Sequence, residues 1–89
     1  GFAEECNNKE ILDAILLLAK TEGIFTEPAG GVAISVLQKM VEQGKIDKND
    51  KVVCYVTGNG LKATESIMQV LPQPTVYKPN INEISAVVQ

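Results

Sequence analysis

The chain has 89 residues and a mass of 9.6 kDa, with 45% apolar and 21% charged residues, enough for one small aliphatic core. Eight lysines, no arginine and eleven acids give a net charge of −3, and aromatics are only 4%. This excludes a phosphate-backbone binder or a base-stacking surface, and the lack of histidine excludes an imidazole base and the usual zinc set.

Asn7 and Asn8 precede an apolar-periodic run, with Glu10 in the first turn, where the helix dipole favours an acid. Ile11, Leu12, Ile15, Leu18 and Ala19 form a helical stripe that Leu16 and Leu17 widen, predicting a first helix over 8–22 that ends at Gly23. Ile24 and Phe25 make a short extended connection. Pro28 suits the first position of a second helix over 28–43, with Glu27 or Thr26 as cap and Gly44 as the stop. The small residues Ala29, Gly30, Gly31 and Ala33 crowd its first turns. Glycine in a helix is about 1 kcal/mol worse than alanine, so something must approach that end closely, whether backbone or ligand.

Lys45 to Lys51 is a polar turn. Val52-Val53-Cys54-Tyr55-Val56 is a continuous β-branched apolar run, as strands buried on both faces of a parallel sheet are, predicting a strand over 52–57. It leads into Thr57-Gly58-Asn59-Gly60 and a short helix within 61–71, which Pro72 and Pro74 end. Thr75-Val76-Tyr77 suggests a short strand, and Asn82 suggests a cap for a last helix over Ile84 and Val87-Val88. The expected class is therefore α/β, in helix-helix-strand-helix order. A buried parallel strand needs neighbours that this chain lacks. Residues 1–89 thus read as a single domain or fragment, a partial three-layer piece of a larger parallel-sheet fold or a chain that docks on another.

The charge is uneven: residues 1–44 hold three lysines and seven acids, residues 45–89 five lysines and four acids, and neither half is a basic patch. Cys6 and Cys54 are far apart with no CxxC pairing, which points to a reducing cytoplasm rather than a disulfide framework or a metal site. Cys54, inside the apolar run, is expected to be a buried and inert thiol. No segment has the length of a membrane span or the plan of a signal peptide.

Two readings compete at the loop. Gly58-Asn59-Gly60-Leu61-Lys62-Ala63 satisfies G-x-G-x-x-A after a strand, the outline of a dinucleotide turn, although the acid expected after the next strand is absent. The plainer account is a tight turn that uses the positive φ open to glycine. Thr57, at the carboxyl end of the strand, would present a hydroxyl to a crevice where α/β sheets bind ligands; it could equally just cap the turn. No lysine sits in an apolar run of the kind that makes a lysine a nucleophile, Lys62 being the nearest candidate. Ser35 and Ser66 have no histidine to activate them. The chain by itself looks catalytically incomplete, with no catalytic residue assigned.

Thr21-Glu22-Gly23-Ile24-Phe25-Thr26-Glu27-Pro28-Ala29-Gly30-Gly31-Val32, and later Val56-Thr57-Gly58-Asn59-Gly60-Leu61-Lys62, resemble the carboxyl-terminal region of the threonine synthases. These belong to the fold-type-II pyridoxal-phosphate enzymes, and the similarity runs over roughly residues 8–66. The resemblance implies a carbon–oxygen lyase that turns O-phosphohomoserine and water into threonine and phosphate. Related branches, cysteate synthase and the threonine/serine dehydratases, are the rivals within the family. A non-catalytic nucleotide-binding module is the rival outside it.

By the resemblance, Thr57 faces the pyridine nitrogen of pyridoxal 5'-phosphate, Gly58, Asn59 and Gly60 line the ring, and Glu27 and Ala29 lie near the same crevice. The implied partners are the small-molecule substrate and the amino-terminal part of the same enzyme. That part carries the cofactor lysine and phosphate loop, neither of which occurs here. The 89 residues alone are then expected to be inactive and not to hold the cofactor stably. No metal, nucleic acid or membrane is implied.

Overall fold

In the computed structural model, which describes residues 1–88, helix α1 spans Asn8–Glu22 and α2 spans Pro28–Glu42. Each is bounded by the signals in its sequence. The Asn7 side chain accepts from the Glu10 N–H while the Glu10 carboxylate accepts from the Asn7 N–H, a reciprocal capping box. Gly23 stops α1 at φ 68°, where its N–H reaches the Ala19 carbonyl. Gly44, at φ 74°, ends α2: its N–H bonds the Val41 carbonyl and the Lys45 N–H bonds the Met40 carbonyl. That pair of bonds is a Schellman closure, which needs the left-handed conformation that glycine adopts without strain.

The two helices pack against each other across a small core. Ala14, Ile15 and Leu18 of α1 are buried, as are Gly30, Gly31 and Ser35 of α2. Gly31 makes the close approach possible. A Cβ there would stand 2.8 Å from Ile15 Cγ1 and 2.9 Å from the Ile11 carbonyl oxygen. Neighbouring backbone thus explains this glycine of the small-residue run. The stripe is shifted from the expected one: Ala14 is buried, whereas Ala19 and Leu17 are exposed. Across the helix pair, Lys39 Nζ lies 2.9 Å from Glu10 Oε2 and donates to the Glu5 carbonyl at 2.6 Å. The bond from the Asn7 N–H, then the Lys39 ammonium, hold the Glu10 carboxyl below its usual range, and Glu10 in turn raises Lys39.

Beyond Gly44 the chain opens out. The expected strand over 52–57 does not form: these residues have no regular structure and pair with nothing among the described residues. A ladder needs a second strand to take its N–H and C=O groups, and among the described residues the elements are helices, a 3₁₀ turn and one isolated bridge. Val53 and Tyr55 are both 80% exposed. Cys54 is half-buried rather than buried.

Thr75-Val76-Tyr77 likewise forms no strand, with Val76 94% exposed. After the loop come a 3₁₀ turn at Gly60–Lys62 and a short helix α3 at Glu65–Met68, whose Ile67 is buried. The last helix, α4, spans Ile81–Ser85 and is capped by Asn80, not Asn82; Val87 and Val88 lie past its end. The radius of gyration is 17.2 Å, against about 12 Å for a compact domain of this length. The α/β class expected from sequence is thus met by its helices alone.

Candidate functional site

The two segments singled out in the sequence, thirty residues apart, meet in space. The Gly60 N–H donates to the Phe25 carbonyl at 3.0 Å and the Glu27 N–H donates to the Gly58 carbonyl at 3.1 Å. Thr26 and Asn59 sit opposite each other between these bonds as an antiparallel bridge. The clasp fastens the loop to the start of α2. It brings Phe25, Thr26 and Glu27 against Gly58, Asn59 and Gly60, with Pro28 and Ala29 next in the chain on one side and Thr57 on the other.

Each of these residues has a distinct environment. Thr57 and Ala29 are exposed, Glu27 is half-buried, and Gly58 and Gly60 are buried. Asn59 is exposed, and its side-chain oxygen accepts from the Leu61 N–H at 2.9 Å, which caps the 3₁₀ turn. Gly58 and Gly60 do not have positive φ, so the turn explanation for them fails. Their reason is contact. A side chain on Gly58 would fall on the Glu27 carboxyl, and one on Gly60 would fall on the Phe25 ring. The same contact weakens the nucleotide reading, since an acid occupies the face of Gly58 that a pyrophosphate would approach. The short 3₁₀ turn that follows offers no helix dipole either.

Two residues at the clasp have roles other than the cap and the connection expected of them. Thr26 is buried, and its hydroxyl donates to the Gly58 carbonyl at 3.2 Å; Phe25 covers Gly60. Thr26 does not cap α2. Glu27 is the cap residue and makes no side-chain bond, its carbonyl accepting from the Gly30 and Gly31 N–H groups instead. The sequence carried a signal only at Gly30, a glycine inside a helix that must yield space to a neighbour, and that neighbour is Thr26.

A family model described as "Pyridoxal-phosphate dependent enzyme" matches residues 1–58, which takes in the helix pair and the loop as far as Gly58. The chain belongs to that family. Relatives it resembles over most of its length are threonine synthases. It is 36% identical over all 89 residues to a threonine synthase of Methanocaldococcus jannaschii, covering 22% of that protein. It is 40% identical over 84 residues, 94% of the chain, to a threonine synthase of Methanosarcina acetivorans, covering 21% of that protein. With one from a Bacillus species it shares 48% over 62 residues, 70% of the chain and 18% of the relative. The chain thus spans about a fifth of the length of the curated relatives it matches. The first of these matches extends past the 8–66 stretch on which the resemblance rests.

Pyridoxal phosphate, the cofactor the family implies for the complete enzyme, requires a lysine anchor, a phosphate cradle and a partner for its ring nitrogen. For the last role, Thr57 has the right chemistry: the residue is exposed beside the clamped loop, and a hydroxyl can both donate and accept. The other two roles have no fit here. Lys62 is exposed at the end of the 3₁₀ turn, and Glu27 presents a negative charge where a phosphate would be repelled. Among the described residues, no helix is long and apolar enough to cross a membrane.

Proposed function

We propose that these residues are the carboxyl-terminal portion of a cytoplasmic threonine synthase that converts O-phosphohomoserine and water to threonine and phosphate. The clasp that joins the Glu27-Pro28-Ala29 turn to the Thr57–Gly60 loop carries this reading. It assembles in one place the segments on which the resemblance rests. The identity with threonine synthases over the whole chain supports it. In the complete enzyme the run over 52–57 becomes a strand of the parallel sheet, and the amino-terminal part supplies the cofactor lysine and phosphate loop. The 89 residues alone are inactive.

The bound cofactor supplies an electron sink for the carbon atoms of the substrate. Thr57 would hold the ring nitrogen through its hydroxyl, a neutral partner that would favour the unprotonated nitrogen. Gly58 and Gly60 hold the loop against Glu27 and Phe25, and Asn59 and Ala29 face the same crevice.

The test is phosphate release from O-phosphohomoserine by the full-length enzyme. Losing one such hydrogen bond is worth ~1–3 kcal/mol, so Thr57→Val should lower turnover by roughly ten- to a hundredfold. Thr57→Ser should keep most of it. Equal turnover in well-folded Val and Ser variants would remove Thr57 from the site. Turnover of cysteate-synthase or dehydratase substrates with no phosphate release would move the enzyme to a sister branch.

A further inference from the structure

We infer that Thr26 is a positioning residue for Thr57, acting through the Gly58 carbonyl; this rests on the role proposed for Thr57 and adds a residue to it. Thr26 is 1% exposed. Its hydroxyl has two acceptors at 3.2 Å, the carbonyls of Gly58 and Glu27. The Glu27 carbonyl is already served by the N–H groups of Gly30 and Gly31. The Gly58 carbonyl receives one other bond, from the Glu27 N–H. The Thr26 proton therefore does most for Gly58, the residue directly after Thr57.

The packing is built around that hydroxyl. A side chain on Gly30 would fall on Thr26 Oγ1, so α2 is cut away where the hydroxyl stands. Gly58 is cut away in turn for the Glu27 side chain. A threonine that merely capped the helix would accept from the N–H of the second or third helical residue. Thr26 instead donates across 32 positions of sequence to the loop. Two donors on one carbonyl fix the plane of the peptide that follows Gly58, and with it the end of the segment that carries Thr57.

The full-length enzyme tests this with Thr26→Val, which keeps the shape and removes the donor, and Thr26→Ser, which keeps the donor. Thr26→Val should weaken pyridoxal-phosphate binding to the apoenzyme, read by absorbance titration, and lower kcat, each by about tenfold. It should also speed amide exchange at residues 58–60. Thr26→Ser should stay within about twofold of wild type. In a Thr57→Val background, Thr26→Val should add less than about twofold, because both changes act on one contact.

Wild-type values of cofactor Kd and kcat in Thr26→Val would overturn the inference. So would an effect that multiplies in full with that of Thr57→Val, or a loss at Thr26 with none at Thr57. If Thr26→Val does not fold, Thr26→Ala takes its place in the same cycle. A wild-type enzyme that releases no phosphate would instead sink the proposed reaction, and the cofactor titration would still decide the role of Thr26.

Discussion

Residues 1–44 and residues 45–88 contain similar chemistry and behave in opposite ways. In the first region, apolar side chains recur at helical spacing, backbone groups are satisfied within each helix, and the two stripes bury each other. In the second, Val52 to Val56 is at least as apolar, yet it forms no regular structure and leaves Val53 and Tyr55 largely in solvent. The difference is where the hydrogen bonds go. A helix closes its own, whereas a strand borrows them from neighbours. Apolar content alone does not bury a segment. The second region meets the first at the loop clasp, and Lys45 Nζ lies 5.5 Å from the centre of the Phe2 ring.

The largest break in this contrast comes from the helix core. Ile15 is 2% exposed, so Ile15→Ala should destabilise the 89-residue chain by about 2–5 kcal/mol, or abolish its helical circular dichroism outright. An unchanged melting curve would show that α1 and α2 do not support each other.

The next effect lies at the clasp. A Cβ on Gly60 meets the ring of Phe25, while one on Gly58 meets the end of the Glu27 side chain, which can swing away. Gly60→Ala should therefore cost ~1–3 kcal/mol and Gly58→Ala less, by chemical denaturation. The reverse order would mean that Glu27, not Phe25, is the fixed wall of the site.

A smaller, pH-dependent effect belongs to Glu10 and Lys39. The folded Glu10 carboxyl sits below its usual range, chiefly through the Asn7 N–H and then through Lys39. In acid the unfolded chain therefore takes up its proton first. The stabilisation is full above the usual glutamate value and is lost as pH falls through the folded value. Lys39 is raised, so its share is full below the usual lysine value and is lost as pH rises through the folded one. Melting temperatures of Lys39→Met should fall less steeply in acid than those of the parent chain, while the Asn7 part of the slope persists. A slope identical to the parent's would remove the ion pair from the account.

What could be read from the sequence follows the same division. Both long helices, the capping asparagine and the stops at Gly23 and Gly44 are local, and the residues that make them lie within a turn of one another. The apolar run over 52–57 has the pattern of a buried strand but forms none among the described residues, because no neighbouring strand takes its hydrogen bonds. The meeting of the Glu27-Pro28-Ala29 turn with the Thr57–Gly60 loop was implied only by the resemblance, because no periodicity links residues thirty apart. Thr26 was hidden for a related reason. A threonine before Glu-Pro reads as a cap, and its actual bond crosses the chain.

The smallest effect in the chain alone should come from its most exposed apolar run. Val53→Thr should change stability of the 89 residues by no more than about 0.5 kcal/mol, and should cost more in the complete enzyme, where that side chain is proposed to be buried. Amide hydrogen exchange over residues 52–57, measured in this chain and in the full-length enzyme, tests the central claim most directly. The account predicts fast exchange in the 89 residues and strong protection in the full-length enzyme. Equally fast exchange in both would contradict it, because the run would then be no strand in either setting.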